Sequence, residues 1–225
     1  MTEVDKVLLI ALAEEGYLEK KTNAQLDSKT ANAGNNNWTK YARDLDNIPN
    51  FYNGKKNGYA WCDMFVDWCF VQALGVVRAK ELLNQPNNSY GAGCTESASY
   101  YKKINQYFKN PQKGDQIFFK NSSGICHTGL VYHVDEKYVY TIEGNTSSAN
   151  GVVANGGAVA KKKYSLNYTN IDGYGRPKYK KEERKLNKQE CIEKLKTILA
   201  DDTIKYLDMY RYGDDLIIKL GNAIK

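Results

Sequence analysis

The periodicity of this chain changes once, at Pro111, and that change restricts the fold more than any other feature. Before it, apolar residues recur at helical spacing, as in Val4, Val7, Leu8, Ala11 and Leu12, stopped by Gly16. After it, short apolar runs are separated by turn formers. Gln116 to Lys120, Cys126 to Val134 and Tyr138 to Glu143 read as strands, with Asp135-Glu136-Lys137 as a hairpin connection. Val152 to Lys163 and Ile171 to Arg176 extend the set. Helices first and an antiparallel sheet second define an α+β domain. Residues 17 to 60 are mostly loop with one or two turns near Trp38 to Leu45. Further helices are predicted from about Val77 to Leu83 and from Ser97 to Tyr107, the latter capped by Thr95.

The helical half centres on Trp61 to Phe70. It follows a loop, Asn53 to Gly58, rich in turn formers. Trp61, Phe65 and Trp68 form one stripe, and Val66, Cys69 and Ala73 widen it, so the helix is mostly buried and runs to about Gly75. Cys62 falls in its first turn. Unpaired backbone N–H groups and the helix dipole favour a thiolate there, while Cys69 lies two turns further in. The spacing makes Cys62 a candidate nucleophile and Cys69 a packing residue. The plainer alternative is that both are small apolar core residues.

A cysteine nucleophile needs a base, and the base needs a group to orient it. Only two histidines are available, His127 and His133, six residues apart on one predicted strand. An even spacing puts both on one face. His127 opens the strand after a Ser/Gly turn, whereas His133 lies beside a polar hairpin, which favours His127. The next strand ends in Glu143-Gly144-Asn145, offering Glu143 as the orienting carboxylate and Asn145 as a fourth polar group. Tyr52, Tyr59, Trp38 and Trp61 are candidates for lining a substrate groove, although aromatic residues beside such a helix also serve as core. A zinc site from Cys94, Cys126, His127 and His133 is disfavoured, because Cys126 and His127 are strand neighbours that face opposite ways.

The ordered set Tyr59-Ala60-Trp61-Cys62, Gly114 to Phe119, His127-Thr128-Gly129-Leu130-Val131, Ile142-Glu143-Gly144-Asn145 and Gly173 to Pro177 resembles a CHAP domain, the cysteine- and histidine-dependent amidohydrolase/peptidase family of the papain-like NlpC/P60 group. Glu15 to Lys20 resembles the start of phage-type members. The resemblance covers about residues 3 to 177. It implies Cys62 as nucleophile, His127 as general base and acid, and Glu143 as orienting carboxylate, with Asn145 in support. The implied reaction is hydrolysis of an amide in bacterial peptidoglycan, either as an N-acetylmuramoyl-L-alanine amidase or as a stem or cross-bridge endopeptidase. The alternatives are a cysteine peptidase acting on non-wall peptides and a non-catalytic wall-binding module. Some members carry an Asp-rich calcium loop before the cysteine. Residues 50 to 60 contain no acid here, so no metal and no cofactor are expected.

Bulk properties narrow the partners. The net charge of +6 suits an anionic polymer, but no dense Lys/Arg run with interleaved aromatics points to nucleic acid. Five scattered cysteines without a CxxC pair argue against a disulfide framework. No segment is apolar enough to span a membrane. The opening Met1 to Lys6 lacks the pattern of a signal peptide, so the expectation is synthesis in a host cytoplasm and action at the wall, with release through a holin. Residues 178 to 186 read as a charged linker. Beyond it three short helices are predicted, capped by Asn187 with Glu190, by Asp201 or Asp202, and by Asp214. This segment, 187 to 225, is either a wall-binding module or a self-association element.

Overall fold

The computed structural model describes residues 1–90, 92–180 and 186–224. It divides into two compact units, Met1–Lys180 and Lys181–Lys225. The first unit opens with α1 (Glu3–Ala13), α2 (Lys40–Asp46), α3 (Cys62–Leu74), α4 (Val76–Leu83) and α5 (Cys94–Lys103). Six strands follow: β1 (Tyr107–Phe108), β2 (Gln116–Asn121), β3 (Gly124–Val134), β4 (Tyr138–Thr146), β5 (Ala158–Ser165) and β6 (Ile171–Gly175). They form one sheet in the order β1-β6-β2-β3-β4-β5, with every pair antiparallel. Helices precede the sheet and the switch falls where the period changes.

The elements follow local chemistry. Thr2 caps α1 and exchanges hydrogen bonds with Asp5 in a capping box. Gly75 ends α3 with φ of 78°, a conformation that glycine adopts without strain. Helix α3 is buried on every side from Cys62 to Val71, and it packs on α1, α2, α4, β3 and β4. The sheet alternates as its pleat requires. Phe118, Leu130 and Ile142 join the helical core, while Ile117, Phe119, Val131, Val139, Tyr164 and Tyr174 make a second core on the other face.

Several expectations are corrected. Helix α5 starts at Cys94 after Gly93, and Thr95 donates its hydroxyl to Ile125 O instead of capping. Tyr107 lies in β1, a two-residue edge strand too short to carry a period. The even spacing of the histidines loses its meaning, because a register shift between Val131 and His133 interrupts the alternation. The first unit also extends beyond Pro177. The Tyr179 ring stacks on Phe70 at 6.0 Å and its hydroxyl donates to Gly114 O. Of the predicted linker, residues 181 to 185 lie outside the described residues.

The second unit contains α6 (Lys188–Leu195), α7 (Asp201–Met209) and α8 (Gly213–Ala223). Asn187 and Glu190 form the expected capping box. The other two caps sit one residue or more earlier, at Ala200 and Tyr212, and Asp201, Asp202, Asp214 and Asp215 occupy first turns, where they complement the helix dipole. Cys191, Leu195, Ile204 and Ile217 form a small core. Among the described residues, no helix is long and apolar enough to cross a membrane.

Candidate active site

His127 lies on β3 and Glu143 on β4, and the fold brings them together in the dry interior. Both side chains are fully buried, and His127 Nε2 is 3.0 Å from Glu143 Oε2. The Glu143 carboxylate also accepts from Thr141 Oγ1 at 2.5 Å and from the Tyr164 hydroxyl at 3.2 Å. Three donors converge on one carboxylate, so Nε2 of His127 must carry the hydrogen that it donates. With Nε2 as donor, Nδ1 is the ring nitrogen left to accept. Nδ1 is buried and has no hydrogen-bond partner. Phe119 stacks on the ring at 5.9 Å and 27°. A β-carbon at Gly129 would lie 2.4 Å from Glu143 Cγ, so only glycine leaves room for the carboxylate to cross β3.

Asn145 sits two residues beyond Glu143 in a register shift with φ of 54°, a left-handed conformation that Asn tolerates. Its Oδ1 accepts from Gly157 N at 3.3 Å, and its buried Nδ2 has no partner. Between them Gly144 meets the helix directly: a β-carbon there would lie 2.5 Å from Phe65 Cβ and 2.8 Å from Trp61 Cζ3. The first turn of α3 therefore rests on the end of β4 that carries Glu143 and Asn145.

Cys62 is the first residue of α3, 5% exposed. The Cys94 thiol, at the first residue of α5, is its neighbour. Cys126, in the register shift just before His127, lies within electrostatic reach of Cys94. Cys62, Cys94 and Cys126 thus lie near one another, and none of them forms a disulfide. The Cys94 hydrogen bond and burial push the Cys62 thiol well above its ordinary range, with the Asp63 charge adding to the rise. A hydrogen bond from the Asp63 backbone works the other way. The helix start expected to favour a thiolate is present, and burial and the neighbouring thiol act against it. Cys69, wholly buried in the helical core, is also pushed up by burial.

The remaining sequence candidates separate clearly. His133 is exposed against Tyr140. Tyr59 is 65% exposed. Trp61 and Tyr52 are corrected from groove to core. Trp61 is wholly buried and donates Nε1 to Glu19 Oε2 at 2.8 Å, and the Tyr52 hydroxyl donates to Asp67 at 2.6 Å. Trp38 is half-buried beside Lys20. Residues that sequence reasoning missed are Thr141, Tyr164, Cys94 and Asp63. Thr141 alone carried a local signal, because it lies two positions from Glu143 on the same strand face. Among the described residues, no group of three or more His, Cys, Asp or Glu side chains is arranged to hold a metal ion.

Residues 54–145 match the family model of the CHAP domain, a segment that contains Cys62, His127, Glu143 and Asn145. The α+β architecture with its antiparallel six-stranded sheet is consistent with the papain-like fold of that domain. No curated protein matches the chain.

Proposed function

We propose that this protein is a cysteine-dependent amidohydrolase that cuts an amide bond in bacterial peptidoglycan. The observation that carries the reading is His127. One ring nitrogen is held by a buried carboxylate and the other is free, at the strand end where the helix of Cys62 begins. In this reading Nδ1 removes the Cys62 proton as sulfur attacks the carbonyl carbon, and Glu143 stabilises the imidazolium that forms. Backbone N–H groups at the start of α3 and the free Asn145 Nδ2 offer donors to the oxyanion. The imidazolium returns its proton to the leaving amine. Water, deprotonated by the same nitrogen, then hydrolyses the thioester. In this reading the thiolate forms as sulfur attacks, its proton passing to Nδ1 of His127.

The finer proposals rest on the sequence resemblance. Amidase and endopeptidase share this machinery, and release through a holin as a phage-type lysin accords with the likeness of Glu15 to Lys20. Tyr17 of that stretch is buried and Glu19 holds Trp61, so it forms part of the catalytic unit's core. We propose that the helical unit binds the wall, since Tyr206, Tyr210 and Tyr212 are exposed on it.

Digestion of purified Gram-positive peptidoglycan by wild type and Cys62→Ala, with fragments read by mass spectrometry, tests the reading. Wild type should release fragments whose new termini identify the bond, and the variant should release none. Equal digestion by both would make Cys62 structural and end the proposal. Cleavage of free peptides without wall cleavage would establish the non-wall peptidase instead.

A further inference from the structure

Asp63, the residue after Cys62, is wholly buried and has no salt bridge among the described residues. Its Oδ2 accepts from Ser97 Oγ on α5 at 2.7 Å, and its Oδ1 accepts from Gln116 Nε2 on β2 at 3.0 Å. The same Nε2 donates to Thr128 Oγ1 at 3.1 Å, and Thr128 directly follows His127. Two hydrogen bonds therefore connect the backbone neighbour of Cys62 to the backbone neighbour of His127. Gln116 is also wholly buried, and its Oε1 has no partner. Leaving a buried carbonyl oxygen unpaired destabilises a fold. A leucine of similar size would avoid that cost, so packing alone does not account for glutamine here. The Thr128 hydroxyl in turn donates to Ile117 O at 2.7 Å, which fixes the far end to the sheet.

We propose that Asp63, Gln116 and Thr128 form a positioning strut that holds the first turn of α3 at a set distance from the strand carrying His127, with Ser97 bracing it from α5. The inference rests on the hydrolase reading for its purpose, since a strut between two inert residues would have none. It touches neither substrate nor reacting atoms. The carboxylate is suited to the place because it alone offers two acceptor oxygens to two donors arriving from different elements. The ionisable groups around it are Cys62 and Asp67 on α3, Tyr52 from the preceding loop, and Glu96, Tyr100 and Tyr101 on α5. Burial raises the Asp63 carboxyl to about 6, so it is mostly ionised at neutral pH.

The test measures alkylation of Cys62 by iodoacetamide, followed on its own peptide by mass spectrometry, in the full chain. It compares wild type, His127→Ala, Gln116→Leu and the double variant, alongside wall digestion and melting temperature. Removing His127 should slow alkylation about tenfold in wild type and hardly at all in Gln116→Leu, because the coupling depends on the strut. Turnover on walls should fall about 100-fold in Gln116→Leu with KM unchanged, as expected for a misplacement near 1 Å. Asp63→Asn keeps the Gln116 bond at its single carbonyl oxygen and can donate its amide to Ser97 Oγ, so it should retain turnover within about threefold, whereas Asp63→Ala should match Gln116→Leu. If His127→Ala slows alkylation equally in both backgrounds, the strut is overturned and the hydrolase reading stands. If His127→Ala leaves alkylation of wild type unchanged and walls are not digested, the hydrolase reading fails and the strut with it.

Discussion

The two halves of the site differ in readiness. On β3 and β4 the proposed base is held in place: His127 pairs with Glu143, Glu143 is held by Thr141 and Tyr164, and the ring's unpaired nitrogen is the one that would take a proton. At the start of α3 the proposed nucleophile is not prepared in this way: its neighbour Cys94 and burial push the Cys62 thiol up, against the thiolate. The contrast teaches that preorganisation here sits in the base, where misorientation would be costly to correct.

Breaking the prepared half should have the largest effect. Glu143→Gln presents an amide to three donors, and the imidazole loses the anion that stabilises its charged form. Turnover should fall about 10³-fold, within the range seen when an orienting carboxylate is made neutral. Steady-state digestion with a folding control by circular dichroism checks it. A loss under tenfold would mean that His127 needs no orientation.

The next effect is on stability, and it sharpens the contrast at the resting half. Asp63 titrates at about 6 in the fold against 3.8 as a free side chain. Between those values the folded chain binds more protons than the unfolded one, so stability falls as pH rises through that window and levels above it. The expected loss is about 3 kcal/mol. Chemical denaturation of wild type at about pH 4 and about pH 6.5 should show it, and Asp63→Asn should show less. Equal losses in the two proteins would assign the trend to Asp67, whose carboxyl burial pushes up further.

The smallest effect should be the most telling about the thiol. Cys94→Ala removes the neighbouring thiol, the foremost cause of the rise at Cys62. Alkylation of Cys62 at neutral pH should quicken, because a larger share of the thiol is then ionised. An unchanged rate would show that burial alone holds the thiol protonated.

Much of this arrangement was legible in the chain. The helix of Cys62, the strand of His127 and the hairpin strand ending at Glu143 each follow from local period and punctuation. The pairing of His127 with Glu143 follows from hairpin adjacency. What escaped depends on contacts between distant segments. Cys94 is 32 positions from Cys62 and no period relates them. Trp61 looked available for substrate because nothing local reveals that Glu19 holds its indole. The faces of the two histidines were misjudged because the shift between Val131 and His133 arises in strand pairing. Asp63 carries no local mark of its burial, which is set by contacts with Ser97 on α5 and Gln116 on β2.

Gly129 has a consequence for anyone altering this protein. It offers no functional group, yet a single methyl there would occupy the space through which Glu143 reaches His127. Screens that rank positions by the chemistry of their side chains would pass over it. In a library of random variants, this blank position should behave like an active-site residue, intolerant of even the smallest replacement.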